Sequence, residues 1–369
     1  MQQASNKWSF HSLLYYRNAT VMDDTIAYIT QSGGENKGQV GYFRPNDLIG
    51  FENQVDFTPF TSVNFIAGLV WEEERLSSGF SKSYSGSPDQ DPPTPEKPDM
   101  MTNHKVSGYF QTQLKIISYT ELTVGFRHDD SSYFGKVDTP RFGLVFNRNL
   151  LTAKLLWMYA YRAPKPWDFT DGLGNSDLKP EKMRSFETTI GYTFFKRLRS
   201  EICFYQNLMD DHLVKEEIGE DWRWINGGTA NTDGLEVIME YVKDPVKMYF
   251  NYTYNASRLE EGGALPEIAY NNANVGISYA FRPDTKLDIR GNYLGERKNV
   301  MSGTVTGKDT IPDAFIINST LTFLNCKNFD VYLMIKNLTD EKYYHSSNRP
   351  VEKYRQPQRS ILLRAEFRF

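Results

Sequence analysis

Long apolar runs are absent from this sequence of 369 residues. A helix that crosses a bilayer needs roughly 18 or more consecutive apolar residues, and no stretch approaches that length. Residues 1–10 also lack the apolar core that a signal peptide carries. The sequence therefore excludes a helical membrane protein.

Cysteine and histidine are scarce, and neither sign of charge dominates. The two cysteines, Cys203 and Cys326, are far apart, and no two of the five histidines have a spacing typical of metal ligands. No Ser/His/Asp arrangement stands out as a nucleophilic site. The net charge of -4 provides no basic surface for nucleic acid. The sequence therefore predicts no enzyme, no resident metal, no cofactor and no nucleic-acid partner.

Aromatic residues, in contrast, are abundant: they form 14% of the chain, and they recur at the spacing of β-strands. The last strand is the clearest case. Successive side chains of a strand point to opposite faces, so this segment has one apolar and one charged face. The apolar parity holds Ile361, Leu363, Ala365, Phe367 and Phe369, and the other holds Ser360, Arg364, Glu366 and Arg368, with Leu362 as the single exception.

The same alternation repeats upstream. Soluble antiparallel sheets cover their apolar face with another layer, and the sequence offers no helices for that purpose. The apolar face must therefore be covered by lipid. We predict an all-β transmembrane antiparallel up-and-down β-barrel whose polar face contacts water. The repeated apolar positions include Phe186, Ile190, Tyr192, Phe194, Met248, Phe250, Tyr252, Tyr254, Val275, Ile277, Tyr279, Phe281, Val331, Leu333 and Ile335.

Connections alternate in length along the chain, as the short periplasmic turns and long extracellular loops of such barrels do. About 17 strands result, an odd number where single-chain bacterial barrels have an even one. The predicted turns lie at residues 195–197, 243–245, 282–284 and 324–328. The predicted long loops lie at residues 73–102, 163–183, 214–232, 256–267, 296–313 and 340–357.

Several short motifs, in order, resemble the barrel of TonB-dependent receptors, which import scarce nutrients across the bacterial outer membrane. The most specific block is Tyr161-Arg162-Ala163-Pro164, then Leu178-Lys179-Pro180-Glu181. The others are Tyr109-Phe110-Gln111, Gly125-Phe126-Arg127-His128-Asp129, Thr139-Pro140-Arg141, Gly234-Leu235-Glu236, Lys336-Asn337-Leu338-Thr339-Asp340, Gln356-Pro357-Gln358-Arg359 and the final Phe369.

The resemblance implies a barrel of 22 strands that follows a plug domain carrying the box that TonB contacts. Neither plug nor box is recognised here, so we expect residues 1–369 to be one N-terminally truncated barrel domain, a fragment or part of a split assembly. The expected partners are outer-membrane lipid and the barrel-assembly machinery, which reads the strand ending in Phe369. TonB would act only through the plug and its box.

Aromatic and basic side chains in the long loops are candidate ligand contacts, since they suit a flat or catecholate ligand. The alternative is that each of these side chains belongs to the girdle of aromatic residues at the membrane interface. The candidates are Trp167, Trp222, Arg223, Trp224, Tyr343, Tyr344 and Arg349. The blocks around Arg162 and Lys179 are interpreted as architectural, with attraction of an anionic chelate as the alternative.

The resemblance favours TonB-energised uptake of a ferric siderophore, so the ligand itself can be a metal chelate, with haem, cobalamin or oligosaccharide as alternatives. Two alternatives to uptake remain. The protein is either a passive outer-membrane pore or a truncated receptor that has no function.

Overall fold

The computed structural model describes residues 7–30, 36–79, 81–87, 89–260, 263–299, 310–326, 328–346 and 353–367. Within these ranges the chain is all-β, apart from one 3-10 turn at Pro166–Phe169. None of its helical segments there is long and apolar enough to cross a membrane. Seventeen strands belong to one antiparallel sheet, which agrees with the predicted fold class and strand number.

Two compact units divide the chain. The first comprises Met1–Phe142, Met158–Arg184 and Met209–Gly228, and the second comprises Gly143–Trp157, Ser185–Leu208 and Thr229–Phe369. Besides the main sheet, the described residues form one sheet of three strands and three sheets of two strands.

The strands of the first part are β1 (Trp8–Asn18), β2 (Val21–Thr30), β3 (Asn36–Arg44), β4 (Asn46–Phe60), β5 (Val63–Ser77), β6 (Ser81–Ser85), β7 (Met100–Ile117), β8 (Thr120–Ser131) and β9 (Gly135–Asp138). Those that contain residues of both units are β10 (Arg141–Arg148), β11 (Leu151–Arg162), β12 (Glu181–Phe194) and β13 (Leu198–Asp210). A hairpin of β14 (Leu213–Ile218) and β15 (Asp221–Asn226) follows.

The remaining strands belong to the second unit. They are β16 (Ala230–Lys243), β17 (Val246–Leu259), β18 (Asn271–Arg282), β19 (Thr285–Leu294), β20 (Arg297–Lys298), β21 (Thr310–Ile311), β22 (Ala314–Cys326), β23 (Phe329–Lys336), β24 (Tyr344–His345), β25 (Tyr354–Arg355) and β26 (Ser360–Phe367).

Strand pairing follows chain order in both units. In the first unit β4 pairs with β1 and β5, β5 with β7, and β7 with β8. In the second, antiparallel pairs run β16-β17-β18-β19-β22-β23-β26. Each pairing connects strands that are neighbours in the chain once the strands outside the main sheet are set aside, as an up-and-down meander requires.

The predicted alternation of faces is present in the structure. We call the side that carries the exposed large apolar residues the apolar face, and the opposite side the polar face. Ile190 is 61% exposed, Phe250 39% and Ile277 41%, although these are side chains that a water-soluble fold would bury. Exposure of apolar residues at alternate positions is the pattern of a sheet that contacts lipid.

The polar face is dense with hydrogen bonds. In the first unit, the Arg127 guanidinium donates to the fully buried Asp129 carboxylate at 2.8–3.0 Å, and Ser107 Oγ donates to the same group at 2.5 Å. In the second unit, the side-chain amide of Asn292 donates to Asn274 at 2.5 Å, and that of Asn318 donates to Asn292 at 3.3 Å. Buried polar groups on this face are therefore satisfied by neighbours on adjacent strands.

Tyrosine rings cover glycines of the adjacent strand at four places on the polar face. Because glycine has no Cβ, an aromatic ring of the neighbouring strand can lie flat against its backbone. A Cβ at any of these glycines would overlap the ring. The pairs are Tyr15 with Gly50, Tyr109 with Gly68, Tyr205 with Gly234, and Tyr249 with Gly276.

Substitution of Gly68 by alanine tests this packing. The new Cβ must displace the Tyr109 ring, whose hydroxyl donates to Glu52 Oε1 at 2.6 Å and lies 2.8 Å from Gln54 Oε1. We expect Gly68→Ala to lower the unfolding free energy, measured in urea, by about 1–2 kcal/mol, as overpacking does. The matched control is Gly108→Ala, because its Cβ would meet only Leu69 Cδ2 at an ordinary 3.5 Å. Equal losses in both variants would contradict the ring-over-glycine interpretation.

Several predicted connections were wrong in extent. The segment 73–102 contains the end of β5, all of β6 and the start of β7, and the segment 214–232 holds most of the hairpin β14-β15. The segment 256–267 begins within β17, while segments 296–313 and 340–357 contain strands of the pairs β20-β21 and β24-β25. Strands thus continue beyond the length at which their sequence alternates, because backbone pairing with a neighbour needs no apolar face.

Candidate functional site

The hairpin β14-β15 carries the tryptophans that the sequence singles out. Lys215 pairs with Trp224 and Glu217 with Trp222, so these four side chains share one side of the hairpin. The two indoles meet edge to face, with ring centroids 5.8 Å apart. The Lys215 ammonium lies 3.8 Å from the centre of the Trp222 ring and 5.3 Å from that of Trp224. This side of the hairpin is an aromatic pair with its own cation.

Arg223 does not have the place that the sequence suggested. The sequence makes Arg223 a candidate ligand contact together with Trp222 and Trp224, but it lies on the other side of the hairpin, where its Nε donates to Glu216 at 2.8 Å. Neighbours in a strand point to opposite faces, so a residue between two tryptophans cannot share their side. Lys215 is the cation over the indoles, and the sequence alone gave no sign of this pairing.

The hairpin is docked onto the preceding segment of the first unit. The backbone N–H of Leu173 donates to the Trp222 carbonyl at 2.9 Å, and the Asn175 side chain donates to the Trp224 carbonyl at 2.8 Å. Gly172 has a φ of +63°, and a Cβ there would overlap the Trp222 carbonyl. Only glycine suits this close approach of two backbones.

Asn226 joins the base of the hairpin to the predicted Leu178-Lys179-Pro180-Glu181 block. Its Oδ1 accepts from the Lys179 backbone N–H at 2.7 Å, and its Nδ2 donates to the Lys179 carbonyl at 2.8 Å and the Asp211 carbonyl at 2.9 Å. Leu178 and Pro180 are buried beside it. The block is thereby architectural in its geometry, and it holds the hairpin that bears Trp222 and Trp224.

Glu181 makes the second connection to the hairpin. Its carboxylate, only 5% exposed, accepts hydrogen bonds from Arg162, from His212 Nδ1 at 2.8 Å and from the Leu213 backbone N–H at 2.9 Å. Arg162 ends β11, Glu181 begins β12 and Leu213 begins β14. One buried carboxylate therefore joins both halves of the most specific motif block to the start of the hairpin.

Trp167 lies in the 3-10 turn Pro166–Phe169 of the first unit. The Arg44 guanidinium is 3.9 Å from the centre of its indole, and the Lys165 ammonium is 5.4 Å away. The turn begins where Asp168 Oδ2 accepts from the Lys165 backbone N–H at 2.8 Å. Ala163 and Pro164 connect β11 to this turn. Trp167, like Trp222, is thus a loop indole with a cation against its face.

Titratable groups around this turn have shifted pKa values. Burial, together with the nearby Asp168 carboxylate, raises the pKa of Asp171, and Lys215 opposes that shift. Burial, assisted by the Asp168 charge, also raises the pKa of Tyr133, whose ring packs 4.5 Å from that of Phe169. The loops here are therefore packed closely enough to desolvate polar groups.

The last long loop belongs to the second unit. The Lys353 ammonium lies 4.7 Å from the centre of the Tyr344 ring, and Arg297 donates to the Tyr344 carbonyl at 2.9 Å. The Tyr343 ring meets His345 edge to face at 6.2 Å. Two predicted residues, Arg349 and Phe369, lie outside the described residues.

The remaining motifs have identifiable structural tasks in the second unit. Asn337 adopts a positive φ of 52°, and its side chain both accepts from the Glu341 N–H and donates to the Glu341 carbonyl at 2.8 Å. Asp340 Oδ1 accepts from the Arg359 N–H at 2.9 Å, and the Leu338 N–H donates to Ile317 at 2.7 Å. The Asn337 bonds close a turn directly after β23, the Leu338 bond attaches this turn to β22, and the Asp340 bond attaches it to the residue before β26.

The motif at Gly234, Leu235 and Glu236 lies in β16. Gly234 receives the Tyr205 ring, while Leu235 pairs with Tyr254 and Glu236 with Thr253. This motif therefore serves strand packing, and the sequence did not reveal the role of Tyr205.

Comparison with known proteins decides the family. The family model described as "TonB dependent receptor-like, beta-barrel" matches residues 2–338. The chain belongs to this family. As a TonB-dependent receptor barrel, it has the predicted location in the bacterial outer membrane, and the resemblance of its motifs is confirmed.

Individual relatives are distant but extensive. The vitamin B12 transporter BtuB of Vibrio vulnificus is 24% identical over 347 residues, which cover 90% of this chain and 52% of that protein. The iron-regulated outer membrane virulence protein of Vibrio cholerae is 22% identical over 333 residues, covering 82% of this chain and 50% of that protein. This receptor barrel spans about half the length of the curated relatives that it matches.

A solved structure supports the same fold. The siderophore receptor PirA of Acinetobacter baumannii superposes with a TM-score of 0.72 at 16% identity, over 98% of this chain and 63% of that chain. At this identity the likeness concerns the fold. The relatives' names describe transporters and receptors.

Proposed function

We propose that residues 1–369 form the barrel domain of a receptor for TonB-energised uptake of a scarce nutrient, with a ferric siderophore as the first choice of ligand. The observation that carries the proposal is the Trp222–Trp224 pair with Lys215 against it, on a hairpin in a long connection of a receptor barrel. Uptake of this kind needs binding and release, without covalent chemistry by the barrel.

The chemistry of the hairpin favours a flat, electron-rich and anionic ligand. Indole faces stack on planar rings, and Lys215, which shares this side of the hairpin with Glu217, can contact a negatively charged group of the ligand. A ferric catecholate combines planar rings with negative charge. Haem shares both properties, whereas cobalamin, the cargo named for the Vibrio vulnificus relative, presents a large planar ring system. All three ligands are therefore candidates for binding to this aromatic surface.

The test is ligand binding by the purified receptor, followed through quenching of tryptophan fluorescence. The probes are a ferric tris-catecholate, haem and cyanocobalamin, each titrated separately. We expect the ferric catecholate to bind best, and Trp222→Ala/Trp224→Ala to weaken its binding by about 5- to 150-fold, since each of the two stacking contacts contributes roughly 0.5–1.5 kcal/mol.

Trp71→Ala is the matched control, because Trp71 is an exposed tryptophan of β5 outside the loops, and it should leave affinity unchanged. Wild-type affinity in the double variant would refute the role of the hairpin. Ohmic conductance of the protein in planar bilayers, without saturable binding of any probe, would instead support a passive pore.

A further inference from the structure

A polar pair lies in the middle of the apolar face of the first unit. Asn53 of β4 and Ser12 of β1 are opposite each other in the register of the two strands. Each is flanked, at alternate positions of its own strand, by two apolar residues in either direction. These are Trp8, Phe10, Leu14 and Tyr16 on β1, and Ile49, Phe51, Val55 and Phe57 on β4. The pair is therefore near the centre of the span that contacts lipid.

The hydrogen bonds of this pair are incomplete. Ser12 Oγ donates to Asn53 Oδ1 at 2.6 Å, and both side chains are exposed. The two hydrogens of Asn53 Nδ2 have no acceptor among the described residues. The hydrocarbon centre of a bilayer provides no water to accept them, so the unpaired amide is unfavourable there. A protein partner that supplies an acceptor at this depth would remove the cost.

The surface on one side of Asn53 is hollow, and on the other side it protrudes. A depression of about 500 Å³ lies on the apolar face across β4, β5, β7 and β8, and Asn53 is among its lining residues. The small residues Ala67 and Gly108 make room for it between larger ones. On the opposite side of Asn53, β1 presents Phe10 and Leu14 with 74% and 72% of their surface exposed. The larger lining residues are Leu69, Phe110 and Phe126.

We propose that this part of the apolar face, the Asn53 patch, is the contact surface of a homodimer of the receptor within the outer membrane. A carboxamide both donates and accepts, so the Asn53 side chains of two copies can pair reciprocally. A twofold axis along the membrane normal keeps both copies in the same orientation in the membrane. The same axis places the β1 side of each copy against the β5 side of the other. The protruding side of one copy then meets the hollow side of its partner, and small residues permit the close approach.

The charges next to the patch suit a second copy. Arg75 Nη2 lies 3.2 Å from Glu73 Oε1, and His104 Nδ1 lies 3.7 Å from Glu73 Oε2, at the end of β5 that leads into a long connection. Both signs of charge are present side by side, so two copies can exchange ion pairs instead of repelling each other. An acyl chain would fill the hollow, but it would leave Asn53 Nδ2 unpaired. A second copy is therefore the favoured occupant.

The first experiment measures the monomer–dimer equilibrium of the complete purified receptor by analytical ultracentrifugation in density-matched detergent. We expect a dimer in the wild type. Asn53→Leu should weaken association by about 8- to 300-fold, the range for two reciprocal side-chain hydrogen bonds within a membrane. Ser319→Leu is the matched control, because Ser319 lies on the apolar face of β22, opposite Ile289 and Ile335, and it should change association less than about twofold.

The second experiment tests the contact in isolated outer membranes. A single cysteine is introduced by Val55→Cys, two residues from Asn53 on the same side of β4, in a background that lacks Cys203 and Cys326. A short bifunctional thiol reagent should produce covalent dimers, and adding Asn53→Leu should remove most of them. Ile277→Cys is the control, because Ile277 is an exposed residue of the apolar face of the second unit and should give few cross-links.

Stability separates a contact role from a role in folding. Asn53→Leu replaces an amide by an apolar side chain on a face that contacts lipid, so the urea midpoint of the monomer should stay the same or increase. A structural role for the Ser12–Asn53 hydrogen bond predicts a lower midpoint instead. Asn53→Gln, which keeps a carboxamide, should retain more of the dimer than Asn53→Leu does.

Three outcomes would overturn the proposal: a monomer at every concentration, equal association of the wild type and Asn53→Leu, or cross-linking at position 277 as efficient as at position 55. The last result would mean random collision of barrels in the membrane. The hairpin variant Trp222→Ala/Trp224→Ala should dimerise as the wild type does. Failure of the dimer and failure of the proposed uptake function can therefore be distinguished.

Discussion

Arginine in place of Ile190 is expected to prevent most of the protein from reaching its folded state in the outer membrane. Ile190 lies on the apolar face of β12 with 61% of its surface exposed, and a charge at the bilayer midplane costs about 2–4 kcal/mol on the lipid side of such a sheet. The measurement is the amount of heat-modifiable, folded protein in isolated outer membranes, with urea unfolding of the refolded chain as a second readout.

Thr189→Arg is the matched control, since Thr189 is the neighbouring residue of the same strand and points to the polar face. It should fold almost as well as the wild type. The pair Phe250→Arg and Asn251→Arg repeats the comparison on β17, where Asn251 lies opposite Asn274. If both members of each pair were equally impaired, the assignment of the two faces would be wrong.

Replacement of Glu181 by leucine should release the hairpin β14-β15 from its support. The substitution leaves Arg162, His212 and the Leu213 N–H without their shared acceptor. Loss of one partner of a buried ion pair costs about 3–5 kcal/mol, and we expect about 3 kcal/mol because Arg162 is 62% exposed and regains water.

Hairpin geometry can be measured without any ligand. Two indoles 5.8 Å apart in an edge-to-face arrangement should produce an exciton couplet in the circular dichroism spectrum. Trp222→Phe should abolish the couplet, which would assign the couplet to the Trp222–Trp224 pair. Glu181→Leu should reduce the couplet strongly. Hydrogen exchange of residues 211–228 should increase in parallel.

Glu187→Leu is the control for this experiment, because Glu187 lies on the same strand at the same parity, and its one side-chain hydrogen bond among the described residues is a 3.5 Å contact with Ser185. An unchanged couplet in Glu181→Leu would show that the contacts of Gly172, Leu173, Asn175 and Asn226 hold the hairpin alone. A loss of the couplet in both variants would indicate general unfolding of β12.

Period-two alternation was sufficient to predict which side chains of the strands face lipid. Ile190, Phe250, Ile277 and Ile361 lie on the predicted face because each side chain's direction depends only on its position along an extended backbone. The short turns at residues 195–197 and 282–284 were also predictable, since turn residues act over a few positions. These features are local, and so the sequence determines them directly.

The candidate site was predictable in its residue types and not in its arrangement. Trp222 and Trp224 are on one side of a hairpin, as alternation requires, but their cation is Lys215, which the register of β14 against β15 selected. Arg223, the neighbour in sequence, faces away and pairs with Glu216. Register is set by the turn and by docking contacts, and neither is visible in the alternation of a single strand.

By itself, the sequence determined an all-β outer-membrane barrel domain, the two faces of its strands and the positions of its family motifs. Only the tertiary structure decided what those motifs do: Arg162 and Glu181 meet across 19 residues, and Gly234 receives the Tyr205 ring. The physical reason is that these contacts depend on strand pairing between distant segments. The face to which a side chain points, the position of a short turn and the alternation of polar and apolar residues depend only on immediate neighbours.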